Sequence, residues 1–133
     1  MTALFADTFY YLAYVSRDDA AHERAVALAE STAAPVITTA WILTEVGDAL
    51  AAPRQRPVFL RLLDLLRTDS RSTIVPASED LFNKGVDLYR RRTDKEWSLT
   101  DCISFVVMSE RGITDALTAD HHFEQAGFRA LMR

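Results

Sequence analysis

Short apolar runs alternate with longer amphipathic segments along almost the whole chain, and this alternation limits the possible folds more than any single motif. The apolar runs have the length of buried strands. They predict strands at 3–7, 35–39, 72–78, 115–118 and 128–132. The segments between them repeat apolar residues at helical spacing and predict helices at 20–31, 40–52, 57–68, 78–92 and 99–112, with a short helical turn before the last strand. This order predicts an α/β fold, with helices packed around a mainly parallel sheet.

Residues at the ends of these segments support the helix assignments. Thr39 and Ser78 come directly before helical patterns, where their side-chain oxygens can cap a first turn. Pro57 stands at a favoured first-turn position, and Gly112 is a usual helix stop.

Length and composition narrow the class of protein. A chain of 133 residues is long enough for one sizeable core, so we expect residues 1–133 to form a single domain. Cys102 is the only cysteine, which excludes an internal disulfide and indicates a cytoplasmic protein. The first residues lack a basic start and carry Asp7 within an apolar stretch, which predicts neither a signal peptide nor a membrane span.

The predicted topology places two aspartates near each other. Right-handed crossovers build the first three strands outward on one side, and a fourth strand on the other side gives the order 3-2-1-4-5. Ligands in such sheets bind at the carboxyl ends of the strands, beside the point where the order reverses. Asp7 ends the first strand and Asp120 lies just past the end of the fourth. Both are therefore expected at this crevice.

Two further acids can reach the same edge of the sheet. Glu45 lies on the shoulder of the helix that follows the second strand, although a solvated glutamate would also fit this position. Asp101 belongs to the pattern "SLTD" at the start of a helix, so it is a good capping residue as well as a candidate ligand. Capping and metal binding do not exclude each other.

Carboxylates that crowd into one pocket repel one another and imply a cation. Ligation by oxygen alone suits Mg²⁺, or Mn²⁺ as a substitute. Such a centre serves phosphodiester hydrolysis, because the metal activates a water and neutralises charge at phosphorus. The acids therefore predict a metal-dependent phosphodiesterase.

Four blocks within residues 4–123 resemble the PIN-domain family and, more narrowly, VapC-like toxins: "FADT", "TTAWILTEV", "DKEWSLTDCISFVVM" and "ALTADHHF". The resemblance implies a three-layer α/β/α domain that acts as a Mg²⁺-dependent endoribonuclease on RNA. It also implies a toxin that is neutralised by a small antitoxin protein and is usually a homodimer. By position, the resemblance implies that the acidic residues of the family are Asp7, Glu45, Asp101 and Asp120.

The resemblance assigns further roles within these blocks. Asp7, Asp101 and Asp120 would hold one or two metal ions, and Glu45 would help to position or deprotonate the attacking water. Thr8 and Thr100 match the small hydroxyl residues that often stand beside these acids.

Basic residues form two local strips although the net charge of the chain is −4. A negative chain is not expected to hold nucleic acid by bulk charge. The strips flank acidic positions, so they could follow an RNA backbone or be ordinary solvated faces; they comprise Arg54 and Arg56, and Arg90, Arg91, Arg92 and Lys95. His121 and His122 are expected to be surface or edge-packing residues rather than ligands.

Two other functions remain open. The first is a catalytically inactive PIN-like binding module, in which the acids are caps and solvated charges. The second is a metal-dependent phosphohydrolase of another doubly wound fold. Those enzymes usually carry a second acid close to the first-strand aspartate and a lysine near the end of the sheet, whereas Asp7 is followed by "TFYYLAYV" and no lysine follows Lys95.

Overall fold

A computed structural model describes residues 2–133 and contains a five-stranded sheet with helices on both faces. The strands are β1 (Leu4–Ala6), β2 (Val36–Thr39), β3 (Ser72–Val75), β4 (Asp115–Leu117) and β5 (Arg129–Ala130). The helices are α1 (Thr8–Val15), α2 (His22–Ser31), α3 (Ala40–Ala49), α4 (Arg56–Thr68), α5 (Glu79–Arg91), α6 (Leu99–Arg111) and α7 (His121–Gln125).

The strand order is β3-β2-β1-β4-β5, and every neighbouring pair is parallel. The predicted α/β class and the order 3-2-1-4-5 are therefore confirmed. Strand β1 lies between β2 and β4, with Ala6 opposite Leu117. This register brings the residues that follow β1 and β4 together at one edge of the sheet.

Helix α1 is the main difference from the predicted elements. The sequence pattern predicts no helix between residues 7 and 20, and this expectation is wrong. The segment "TFYYLAYV" has no polar side for a periodic pattern to reveal, and its aromatic residues are as common in strands as in helices. The helix buries Tyr10, Tyr11 and Ala13, so burial of its apolar surface, rather than helix propensity, accounts for it.

Several predicted strands are longer than those in the structure. The predicted strand at 72–78 ends at Val75, and the predicted strand at 128–132 is reduced to Arg129–Ala130. The predicted helix at 40–52 ends at Ala49. Pro76 and Ala77, beyond β3, are exposed, whereas Leu131 and Met132, beyond β5, are half-buried and donate backbone hydrogen bonds to Ala116 and Thr118. Hydrophobicity alone does not mark where a strand ends.

The predicted helix ends are confirmed by their hydrogen bonds. Thr39 Oγ1 accepts from the Ile42 backbone N at 3.1 Å, and Ser78 Oγ accepts from the Leu81 N at 3.2 Å. Gly112 ends α6 in the left-handed conformation, with φ of 67°.

Helix α6 is anchored against both α5 and the core. Its residues Cys102, Ile103 and Phe105 are buried, and Gly85 of α5 lies against Ile103, where a larger residue would collide. Glycine is required here by close approach rather than by backbone conformation. This packing holds the first turn of α6, and Asp101 with it, beside the sheet edge. No helix within residues 2–133 has both the length and the hydropathy needed to span a membrane.

Candidate acidic site

Asp7 is the most buried acid of the predicted site. It follows β1 directly and is the residue before α1, with 6% of its surface exposed. Its Oδ2 accepts a hydrogen bond from Thr118 Oγ1 at 2.7 Å, and its backbone N donates to the Leu117 carbonyl at 3.3 Å. The neighbouring strand β4 therefore fixes both the backbone and the side chain of Asp7.

Burial raises the pKa of the Asp7 carboxyl from 3.8 to about 7. The hydrogen bonds from Thr118 and from the Thr8 backbone oppose this rise, while the charges of Asp101 and Asp120 add to it. Asp7 is thus close enough to both acids to feel their charges. The structure brings these three predicted residues to one place.

Thr118 links two of the acids and was not singled out by the sequence. Its side chain is fully buried, donates to Asp7 and accepts from the Asp120 backbone N at 3.1 Å. The available signal was a hydroxyl residue at the end of a strand, two positions before an acid, in "LTAD". A threonine in this position can bond forward along its own chain and also across to the neighbouring strand.

Asp120 caps the short helix α7. Its Oδ1 accepts from the His122 backbone N at 2.9 Å, and its side chain is 29% exposed. Asp120 is therefore a helix cap whose carboxylate also faces the other acids.

Asp101 takes part in the capping box predicted from "SLTD". Its backbone N donates to Ser98 Oγ at 3.0 Å, and its Oδ2 accepts from the Ser98 backbone N at 3.1 Å. Burial raises the pKa of the Asp101 carboxyl, and the charge of Asp120 adds to the rise. The Ser98 bond and His122 oppose it. Asp101 is therefore a cap and a member of the acidic group at once.

Glu45 is linked to the residue after Asp7 by a hydrogen bond. Thr8 Oγ1 donates to Glu45 Oε1 at 2.6 Å, which joins the residue after Asp7 to the middle of α3. Both side chains are half-buried. The predicted neighbour of Asp101, Thr100, is also half-buried, and its carbonyl accepts from Ser104 Oγ at 3.0 Å. No hydrogen bond joins the Thr100 hydroxyl to an acid in the described part of the chain.

His122 lies beside two of the predicted acids. Its Nδ1 is 3.2 Å from Asp101 Oδ2 and 3.3 Å from Asp120 Oδ1. The ring is 21% exposed. His121 is 56% exposed, and its ring lies against that of His122 with centroids 4.3 Å apart and planes tilted by 48°. His121 is therefore a surface residue, and His122 is a half-buried residue packed at the edge of the acidic group.

Several of the predicted basic residues already have acidic partners. Arg91 pairs with Asp87 at 3.1 Å, and Arg92 makes two bonds to Asp94 while lying over Trp97 at 4.9 Å. Two more are engaged near their own helix ends: Lys95 lies 3.8 Å from Asp94, and Arg56 donates to the Ala51 carbonyl at 2.7 Å. Arg54 and Arg90 make no ion pair within residues 2–133.

The donor set suits a divalent cation. Asp7 offers a buried carboxylate whose only side-chain donor within residues 2–133 is the neutral hydroxyl of Thr118. Asp101 and Asp120, at the starts of two other helices, are near enough for their charges to raise its pKa. A cation among them would relieve the repulsion that adds to the rise of the Asp7 pKa. Asp120, His121 and His122 also place one possible ligand atom each within 4.8 Å of one another. The two histidines therefore add nitrogen donors to the oxygen donors of the acids.

The family model of the PIN domain matches residues 4–129 of this chain. The chain belongs to the PIN-domain family. This PIN domain is 30% identical over 128 residues to the protein named 23S rRNA-specific endonuclease VapC20, from two strains of Mycobacterium tuberculosis. The alignment covers 94% of this chain and 95% of VapC20.

Solved structures give the same fold. The crystal structure of Mycobacterium tuberculosis VapC20, described as a sarcin-ricin loop cleaving toxin, superposes with a TM-score of 0.85 and 26% identity. It covers 94% of this chain and 95% of that one. The structure of FitAcB from Neisseria gonorrhoeae matches with a TM-score of 0.67 and 18% identity over 96% and 95% of the two chains. The second likeness shows the fold alone.

The raised pKa of Asp7 predicts a pH-dependent gain in stability for Asp7→Asn in EDTA. A carboxyl with a folded-state pKa above its unfolded value stabilises the protein fully at low pH, and loses this stabilisation as pH rises through the folded pKa. The variant keeps an acceptor for Thr118 without the charge. Its free energy of unfolding should equal that of wild type near pH 4 and exceed it by up to about 4 kcal/mol at pH 8.

Denaturant unfolding across this pH range measures the difference. Asp64→Asn on α4 is the matched control, because the Asp64 side chain is exposed and the same substitution there removes a charge from water. The free energy of unfolding of Asp64→Asn should differ little from that of wild type, and this difference should not change with pH. A stability difference for Asp7→Asn that does not change with pH would contradict the buried, charge-strained carboxyl.

Proposed function

We propose that this PIN domain, residues 1–133, is a divalent-metal-dependent endoribonuclease and the toxin of a toxin–antitoxin pair. The observation that carries the proposal is the convergence of Asp7, Asp101 and Asp120 at the carboxyl edge of the sheet, with Asp7 buried among charges of its own sign. Such a group favours a bound cation over metal-free charge.

The capping function does not account for all the acids. It explains Asp101 and Asp120, whose carboxylates accept from backbone N–H groups at the starts of α6 and α7. Asp7 makes none of the usual side-chain capping bonds to α1, and Glu45 lies in the middle of α3, where no cap is needed. Burying an acid without a partner of opposite charge is costly, and this favours a functional site over an inactive binding module.

Asp7, Asp101 and Asp120 would hold Mg²⁺ or Mn²⁺. When bound, the ion lowers the pKa of a water and neutralises charge on the phosphate. Thr118 holds the Asp7 carboxylate in place from the end of β4 and ties it to the start of the Asp120 loop. Glu45 is held by Thr8, the neighbour of Asp7, and its second oxygen would accept a proton from the attacking water or orient it.

The similarity to VapC20 supports RNA as the substrate and ribosomal RNA as the first to test. For contact with the RNA backbone, Arg54 and Arg90 are the first choices, since neither makes an ion pair in the described chain. The other basic residues would have to give up existing partners before they could contact RNA; these are Arg56, Arg91, Arg92 and Lys95. We also propose that the protein is a cytoplasmic homodimer and that a small antitoxin protein neutralises it. The VapC-like blocks of the sequence support these proposals.

The activity prediction concerns two metal-binding acids. Asp7→Asn and Asp101→Asn should each reduce Mg²⁺-dependent cleavage of purified ribosomal RNA by at least about a hundredfold, because each removes a charged ligand. Asparagine also caps helices well, so Asp101→Asn should keep the start of α6 and the fold intact. Cleavage is followed by gel electrophoresis with Mg²⁺ and with EDTA, and circular dichroism checks the fold.

Asp64→Asn is again the control and should cleave at the wild-type rate. Wild-type cleavage that continues in excess EDTA would contradict the metal requirement. Folded Asp7→Asn and Asp101→Asn proteins that both cleave normally would contradict the assigned site.

The RNA-contact prediction compares arginines at two places on the surface. Arg90→Gln should weaken RNA binding by a cleavage-deficient variant and lower the slope of log Kd against log salt by about one ion. Arg61→Gln, an exposed change on α4, is the control and should leave the slope unchanged. Binding is measured by fluorescence anisotropy at several salt concentrations. Identical slopes for Arg90→Gln and wild type would assign Arg90 to an ordinary solvated face.

A further inference from the structure

His122 brings a nitrogen donor into a group otherwise made of carboxylates. Its Nδ1 lies between Asp101 Oδ2 and Asp120 Oδ1, at 3.2 Å and 3.3 Å, although these acids belong to the starts of different helices. The sequence predicts a surface or edge-packing residue at this position. Its position needs a chemical explanation.

The position of the ring is set by its backbone. The His122 N donates to Asp120 Oδ1 at 2.9 Å, so the same carboxylate contacts both the main chain and the ring of His122. The tilted ring of His121 packs against the His122 ring, which is 21% exposed. The nitrogen is therefore held at the site before any ligand binds.

Each of the two distances is close to the separation of neighbouring ligands of one metal ion. Two ligands at about 2.1 Å from a metal and at right angles to each other lie about 3 Å apart. The separations of Nδ1 from the two carboxylate oxygens are 3.2 Å for Asp101 and 3.3 Å for Asp120. Within residues 2–133, the ligand atoms that all lie within 4.8 Å of one another are those of Asp120, His121 and His122, a set without Asp101. The contact of Nδ1 with Asp101 is also a hydrogen bond, and metal titration separates the two roles.

We infer that His122 Nδ1 is a ligand of the metal centre and shifts its preference from Mg²⁺ towards transition-metal ions, Mn²⁺, Co²⁺ and Ni²⁺. This inference rests on the metal centre proposed above and adds to it the class of ion. Carboxylates alone suit Mg²⁺ and Mn²⁺, whereas imidazole suits the later first-row ions, whose affinity for nitrogen rises from Mn²⁺ to Ni²⁺. Mg²⁺ gains little from imidazole.

The test compares metal affinities of untagged wild type, His122→Asn and His22→Asn by isothermal titration with MgCl₂, MnCl₂, CoCl₂ and NiCl₂. The amide nitrogen of asparagine stands at the position of imidazole Nδ1 and can donate to Asp101 and Asp120, so the hydrogen bonds are retained while the imidazole is lost. His122→Asn should lose about tenfold in Mn²⁺ affinity and progressively more for Co²⁺ and Ni²⁺, with Mg²⁺ affinity changed by less than about twofold. His22→Asn is the matched control, because His22 Nδ1 contacts the Ala13 carbonyl and none of these acids, and it should match wild type.

Pulsed electron paramagnetic resonance of the Mn²⁺ form gives a second readout, independent of catalysis. Wild type should show the modulation of a directly bound ¹⁴N nucleus, His22→Asn should keep it and His122→Asn should lose it. Equal affinity losses for all four ions, or a wild-type Mn²⁺ spectrum without nitrogen coupling, would overturn the inference and leave the proposed metal centre standing. Failure of wild type to bind any of the ions would overturn the proposed function as well.

Discussion

The parallel pairing of β1 with β4 is the constraint on which the site depends. It places Ala6 opposite Leu117, so that the next residues, Asp7 and Thr118, meet at the sheet edge and form a buried hydrogen bond of 2.7 Å. Each strand is short, and the neighbours β2 and β5 hold the pair in the centre of the sheet. A slip of one residue in this register would turn the side chains of one strand to the opposite face and separate the two residues.

The acids also share a relation to helices. Asp7 and Asp120 are the residues before α1 and α7, and Asp101 lies in the first turn of α6. Helix N-termini carry partial positive charge and offer free N–H groups, which makes them tolerant of nearby anions. Three helix starts therefore meet at one sheet edge and offset part of the repulsion between the carboxylates. Burial and the remaining repulsion together raise the pKa values of Asp7 and Asp101.

Much of this arrangement follows from patterns in the sequence. The alternation of apolar runs and amphipathic segments predicts the strand order, and "SLTD" predicts the capping box of Asp101. The sequence pattern does not predict helix α1, because the helix is apolar on nearly all sides and shows no helical periodicity of polar and apolar residues. The contact between His122 and Asp101 is not predicted for another reason. It depends on the direction in which α7 leaves β4 and on the distance between α7 and α6. Tertiary placement of this kind leaves no local signal in one sequence.

Anomalous diffraction from crystals of the protein grown with MnCl₂ tests the central claim most directly. The claim is that Asp7, Asp101 and Asp120 form a single metal centre at the carboxyl edge of the sheet. The account predicts a strong manganese peak about 2.0–2.3 Å from oxygens of Asp7 and Asp101, with Asp120 bound directly or through a water. Manganese found only at exposed carboxylates such as Asp80 and Asp87, with none beside Asp7, would contradict it.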